Sequence, residues 1–249
     1  MIVKISEIIA LLQEKAPFET AEPWDNSGFL IGDSEAETDA VVIALDITDE
    51  VIDTARIGGA KLIVSHHPVI FSPLKTLPAD GVPYRLANEG IAALCVHTNL
   101  DKAVGGVNDC LAERLGLCNV RVAEDGMSRV GTLPQGMTAE AFAAHVVDVL
   151  KTAVRVRAGE NTIRTVALCG GAGADLVLPL LSKADAAVTG EVKHHEWLAV
   201  PHGKTLVDGG HFDTEVAVIY ALADWLKEAF PSLKVIVYRG DTPYFTIKD

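Results

Sequence analysis

A chain of 249 residues with 49% apolar content has enough hydrophobic material for one large or two small cores. Aromatic residues make up only 6% and the formal charge is −13, which excludes a strongly basic nucleic-acid binder, because phosphates would be repelled over most of the surface. None of the four cysteines forms a CxxC pair, the N-terminal MIVKISEII lacks the apolar core and cleavage site of a secretory signal, and no apolar run reaches spanning length. A cytoplasmic protein with no membrane association is expected.

The apolar spacing of Ile5 to Leu12 predicts a helix. AVVIALDIT (Ala40 to Thr48) is a continuous, β-branched-rich run of the kind found in strands covered on both faces. A helix over Asp49 to Ile57 closes on Gly58-Gly59. KLIVSHHP is the next strand, a helix around Tyr84 to Asn88 follows, and IAALCVHTNLD is read as another strand. GGVNDCLAERLG is a helix between glycines. The second half repeats this alternation: a short strand at Val130 to Leu133, a helix in TAEAFAAHVVDVLK opened by an [ST]-x-x-[DE]-like start, a strand in TVALCGG, a helix in ADLVLPLLSK, a strand in AAVTGE, a helix in EVKHHEWLAV and a strand in KTLVDGG. HFDTEVAVIYALADWLKEAF is expected as the longest helix, and LKVIVYRG as the closing strand.

This alternation predicts α/β architecture, two α/β layers with mixed, largely parallel sheets, and active groups at the carboxyl ends of strands. The polar segment Arg121 to Ser128 is the best candidate boundary. The expected division is residues 1–125 with 205–249, carrying most of the candidate ligands, and residues 126–204.

Imidazoles and carboxylates recur at predicted strand ends. His66 and His67 follow KLIVS; His97 and Asp101 follow IAALCV. Glu191 follows AAVTG, with His194, His195 and Glu196 close behind; Asp208 and His211 follow KTLV, with Glu215 one turn on. His211 and Glu215, four apart at a helix start, share one face, although ordinary surface pairs have the same spacing. His66 and His67, as neighbours on an extended strand, are expected to point to opposite faces, which suits two metal ions better than one. Imidazoles with carboxylates suit Zn, Fe, Mn, Co or Ni, and five ligands are a reasonable set for two ions. The glycine loop LCGGAGAD (Leu168 to Asp175) offers amides to a phosphate but lacks dinucleotide spacing and reads first as a tight strand-to-helix turn. His145 and His202 read as structural.

Five motifs occur in order: WDNSG (Trp24 to Gly28), SHHP (Ser65 to Pro68), HTNLD (His97 to Asp101), TGEVKHHE (Thr189 to Glu196) and GGHFDTE (Gly209 to Glu215). Through them the chain resembles the NIF3-like family, also labelled GTP cyclohydrolase 1 type 2 homologues and including the YbgI-type proteins. The resemblance implies two similar α/β domains, the compact form without an inserted domain, two divalent metal ions per subunit and homohexameric rings. It implies that His67 and Asp101 hold one ion, His66 and His211 the other, and that Glu215 touches or bridges both. The cyclohydrolase label implies hydrolytic opening of the guanine ring of GTP, or action on another nucleotide or phosphorylated compound. His97 or His195 would then shuttle a proton, with Glu191 orienting one of them. The alternative is a non-enzymatic metal-binding ring: a scaffold, metal carrier or regulator.

Overall fold

The structure is a computed structural model and describes residues 2–244. The chain forms two compact units. Among the described residues, the first runs up to Val104 and takes in Val218–Gly240; the second is Gly105–Ala217 with residues 241–244.

The first unit opens with strand β1 (Val3–Lys4) and helix α1 (Ile5–Lys15), whose Ile5, Ile8 and Leu12 are buried at helical spacing. Strands β2 (Gly28–Ile31), β3 (Glu37–Thr38) and β4 (Ala40–Ala44) lead to helix α2 (Asp49–Gly58), then β5 (Leu62–Ser65), α3 (Val82–Glu89), β6 (Ala92–Cys95) and α4 (Thr98–Lys102). Helices α2 and α3 stop at Gly59 and Gly90, both left-handed, a conformation glycine adopts without a Cβ clash. Every residue of β4, β5 and β6 is buried, as parallel strands covered on both faces should be.

In the second unit, α5 (Val107–Arg114) precedes the hairpin β7 (Cys118–Val122) and β8 (Arg129–Met137), then α6 (Ala139–Leu150), β9 (Arg155–Arg157), β10 (Ile163–Leu168), α7 (Ala174–Leu180), β11 (Ala186–Thr189), α8 (His194–Ala199), β12 (Thr205–Asp208) and α9 (His211–Glu215). Thr138 caps α6 by accepting from the Ala141 amide. Phe142, Val146 and Leu150 pack on one side of the sheet; Val177 and Leu181 pack with Ala167, Ala187 and Leu206 in a separate core cluster. The chain then returns to the first unit as α10 (Val218–Ala229) and β13 (Lys234–Tyr238).

The first sheet has the order β13-β4-β5-β6-β2, parallel except for β2. The second has the order β7-β8-β10-β11-β12-β9, in which β10, β11 and β12 are parallel and the remaining pairings antiparallel. This is the mixed α/β architecture expected from the sequence. No helix among the described residues is long and apolar enough to cross a membrane.

Local structure differs from the sequence reading in three places. Within Arg121 to Ser128, the first two residues end β7 and Ala123 to Ser128 form the turn of the β7–β8 hairpin, closed by the Ala123 amide on the Ser128 carbonyl at 2.9 Å; the units divide instead at Gly105 and after Ala217. The segment after Cys95 is not strand: Thr98–Lys102 is helical, so Asp101 rides on a helix. The long C-terminal helix is two helices, α9 and α10, parted where the chain leaves the second unit.

Candidate metal centre

In the first unit the functional groups sit at the carboxyl ends of β4, β5 and β6. Ser65 ends β5, and its hydroxyl donates to the His67 carbonyl at 2.8 Å. The amides of His66 and His67 both reach the β4 side, at Ala44 O (3.3 Å) and Leu45 O (2.9 Å). Successive amides of an extended strand point to opposite sides, so the chain is bent here. The expected opposition of the two side chains is therefore overturned. Their ring centroids lie 4.9 Å apart, and one ring nitrogen from each of His66, His67 and His97 falls within 4.8 Å of the others.

Each imidazole is held from behind. His66 Nδ1 lies 2.9 Å from Val96 O, His67 Nδ1 2.7 Å from Asp46 Oδ1, and His97 Nδ1 2.7 Å from Asp25 Oδ1. A carbonyl or carboxylate can only accept, so in the neutral ring Nδ1 carries the proton and Nε2 the lone pair. That is the tautomer and support that metal-ligating histidines require. Asp101 Oδ1 lies 3.7 Å from His66 Nε2 and adds a carboxylate. With the imidazoles of His66 and His67 it forms a donor set that fits a divalent transition ion, and His97 stands beside them. Cys95 does not join it as a thiolate: burial pushes its thiol up, and its Sγ lies 3.0 Å from the His66 carbonyl as a donor.

Asp25 anchors this arrangement. Its side chain is fully buried and accepts from His97, Ser27 Oγ, Thr98 Oγ1 and the Thr98 amide. Burial alone would raise the carboxyl, but these hydrogen bonds outweigh it and hold the group well below the usual carboxylate range.

In the second unit β12 ends at Asp208, and Gly209-Gly210 leads into α9. Gly210 has φ +78°, open to glycine. On α9, His211 Nε2 lies 3.1 Å from Glu215 Oε2; from the loop after β11, Glu191 Oε1 approaches His211 Nδ1 at 3.2 Å. Glu191 itself is left-handed at φ +53°, uncommon for a residue with a Cβ. The glycine loop after β10 closes on this pair: a Cβ at Gly171 would stand 2.0 Å from Glu215 Oε1 and 3.3 Å from His211 Nε2. Its amides are used internally, Gly170 N on Asn108 Oδ1 and Gly171 N on Thr214 Oγ1, so the loop is the tight turn rather than a phosphate cradle. Asp208, nearly buried, accepts from the Gly210 and Val192 amides, both at 3.0 Å, and pairs with Arg155. It ties the loops bearing Glu191 and His211 together.

His195 is exposed on α8 and belongs to none of the clusters described above. Three anchoring residues had no assigned role in the sequence reading: Asp25, Asp46 and Asp208. Their one signal is position, since Asp46 and Asp208 are carboxylates at strand ends and Asp25 lies in WDNSG.

The fold and these clusters define an α/β protein with groups able to hold a metal ion at the carboxyl ends of parallel strands. The profile of the Duf34/NIF3 family (NGG1p interacting factor 3) matches residues 3–243, and the chain belongs to that family. It is 32% identical to a Campylobacter jejuni protein designated a GTP cyclohydrolase 1 type 2 homolog, over 97% of this chain and 99% of that one. A Clostridium perfringens protein of the same designation is 30% identical, over 92% of this chain and 94% of that one. Among solved structures, a Bacillus cereus protein related to NIF3 superimposes with a TM-score of 0.93 at 25% identity, over 99% of both chains. A Staphylococcus aureus hypothetical protein gives 0.91 at 30% identity, over 98% of this chain and 99% of that one.

Proposed function

We propose that this protein binds two divalent metal ions and is a metal-dependent hydrolase of a nucleotide or another phosphorylated small molecule. The proposed ligands are His66, His67, Asp101, His211 and Glu215. The observation that carries this reading is that Nδ1 of each histidine in the cluster lies 2.7–2.9 Å from an acceptor oxygen, the support from behind that a metal-ligating or proton-carrying Nε2 needs. The designation of the relatives as GTP cyclohydrolase homologs supports the reaction class.

Divalent ions at such a centre supply Lewis acidity, polarising an electrophile and acidifying water. The chain's own residues handle the protons. His97, fixed by Asp25, presents Nε2 to take a proton from the attacking water and return it to the leaving group; Asp25 steadies the imidazolium formed in between. Glu191 is proposed to orient His211, 3.2 Å away, in place of the expected His97 or His195, and His195, exposed on α8, is the alternative proton carrier to His97. Assembly as a homohexamer is part of the proposal, supported by family membership and tested by sedimentation equilibrium.

The deciding experiment combines elemental analysis with turnover of a nucleotide panel by metal-loaded protein. About two ions per chain and consumption of at least one compound, lost in His97→Ala with metal retained, are expected. Two ions without turnover of any compound would leave a metal carrier or scaffold and end the hydrolase reading.

A further inference from the structure

Two large aromatic side chains stand in the open beside the histidine cluster. Trp24, in WDNSG, is 60% exposed, and Phe71, which closes IVSHHPVIF, is 53% exposed. Their ring centroids are 6.0 Å apart at an interplanar angle of 41°. Each also meets His97 nearly at right angles, Trp24 at 6.2 Å and 77°, Phe71 at 6.4 Å and 76°. The three rings form a corner with one polar side.

Both aromatics are mounted on fixed backbone. Trp24 precedes the buried Asp25, and the Asn26 side-chain amide donates to the Ile70 carbonyl at 2.6 Å, clasping the segment before β2 to the one carrying Phe71. Exposed apolar surface next to a reactive group marks a binding site. The chemistry of this one is specific, because aromatic faces select flat rings through stacking.

We propose that Trp24 and Phe71 form the stacking subsite for a planar heteroaromatic ring of the substrate, holding it against His97. This rests on the hydrolase reading above and narrows its substrate to compounds with such a ring. The chain's charge of −13 does not oppose a neutral ring as it would a bare polyanion. The competing occupant is a second copy of the chain, since Leu74 and Leu77, further along the same loop, are also about half exposed. Against it, the two rings together expose roughly 250 Å² at 150–250 Å² per aromatic side chain, about a third of the ~800 Å² each partner buries in a stable interface.

The test is calorimetric titration of the full-length protein, as purified and after metal loading, with guanosine, adenosine, uridine and ribose. Metal content and sedimentation velocity are measured alongside for wild type, Trp24→Phe, Trp24→Ala and Phe71→Ala. At least one nucleoside is expected to bind wild type and Trp24→Phe, with affinity falling roughly ten- to a hundredfold in each alanine variant, ribose not binding, and metal content unchanged. The proposal is overturned if the alanine variants bind as wild type does, if ribose binds as well as the nucleosides, or if no nucleoside binds. It is equally overturned if Trp24→Ala sediments as a smaller assembly, which would assign the rings to an interface. Absence of metal from wild type would refute the metal-centre reading alone, because stacking needs no ion.

Discussion

Asp25 Oδ1 stands 2.7 Å from His97 Nδ1, joining residues 72 positions apart through a carboxylate with no side-chain exposure. This contact decides which nitrogen of His97 carries its proton. Asp25→Asn keeps the shape but lets an amide donate as well as accept, so His97 should lose its single tautomer. Long-range ¹H–¹⁵N spectra of the imidazole should show the change, with activity falling about 10–100-fold. Losing charge-assisted acceptance from Ser27 and Thr98 should cost about 1–3 kcal/mol in urea unfolding. An unchanged imidazole spectrum would contradict the anchoring role.

Glu215 is buried on α9 with Oε2 3.1 Å from His211 Nε2. Glu215→Ala should strip most of at least one of the two proposed ions, read by elemental analysis after dialysis, while circular dichroism stays native. Full retention of metal would remove Glu215 from the ligand set.

Gly171 combines φ +60° with a position where a Cβ would stand 2.0 Å from Glu215 Oε1. Gly171→Ala should therefore destabilise the protein by about 1–3 kcal/mol through backbone strain and lower metal occupancy by displacing the carboxylate. Denaturant unfolding and metal content together check it; a variant normal in both would show that the loop gives way freely.

Arg129 on β8 is 1% exposed, pairs with Asp109 and donates to the Met127 carbonyl at 2.6 Å. Arg129→Ala leaves Asp109 without this partner and opens space, so a loss of about 3 kcal/mol is expected. Arg129→Met, which keeps the packing of the stem, should lose less. Urea denaturation of both variants makes the comparison, and equal losses would mean that the packing of the stem contributes little beside the ion pair.

Much of this architecture was legible in the linear pattern. β4, β5 and β6 announce themselves as continuous apolar runs because both their faces are covered, and α2 and α3 end where glycines allow left-handed backbone. β7 and β9 were not visible: β7 is exposed throughout and β9 is the three-residue RVR. They are strands because edges of an existing sheet offer hydrogen-bond partners, and β9 gains the Arg155–Asp208 pair through its register on β12.

By itself, the sequence determined the alternation of strands and helices, the family, and the placing of imidazoles and carboxylates at strand ends, since these depend on local apolar periodicity and short motifs. Only the tertiary structure decided that His66 and His67 face one cluster rather than opposite sides, and that Asp25, Asp46 and Val96 set the tautomers of three histidines. Those outcomes depend on a backbone bend and on hydrogen bonds between residues 21 to 72 positions apart, which no local pattern encodes.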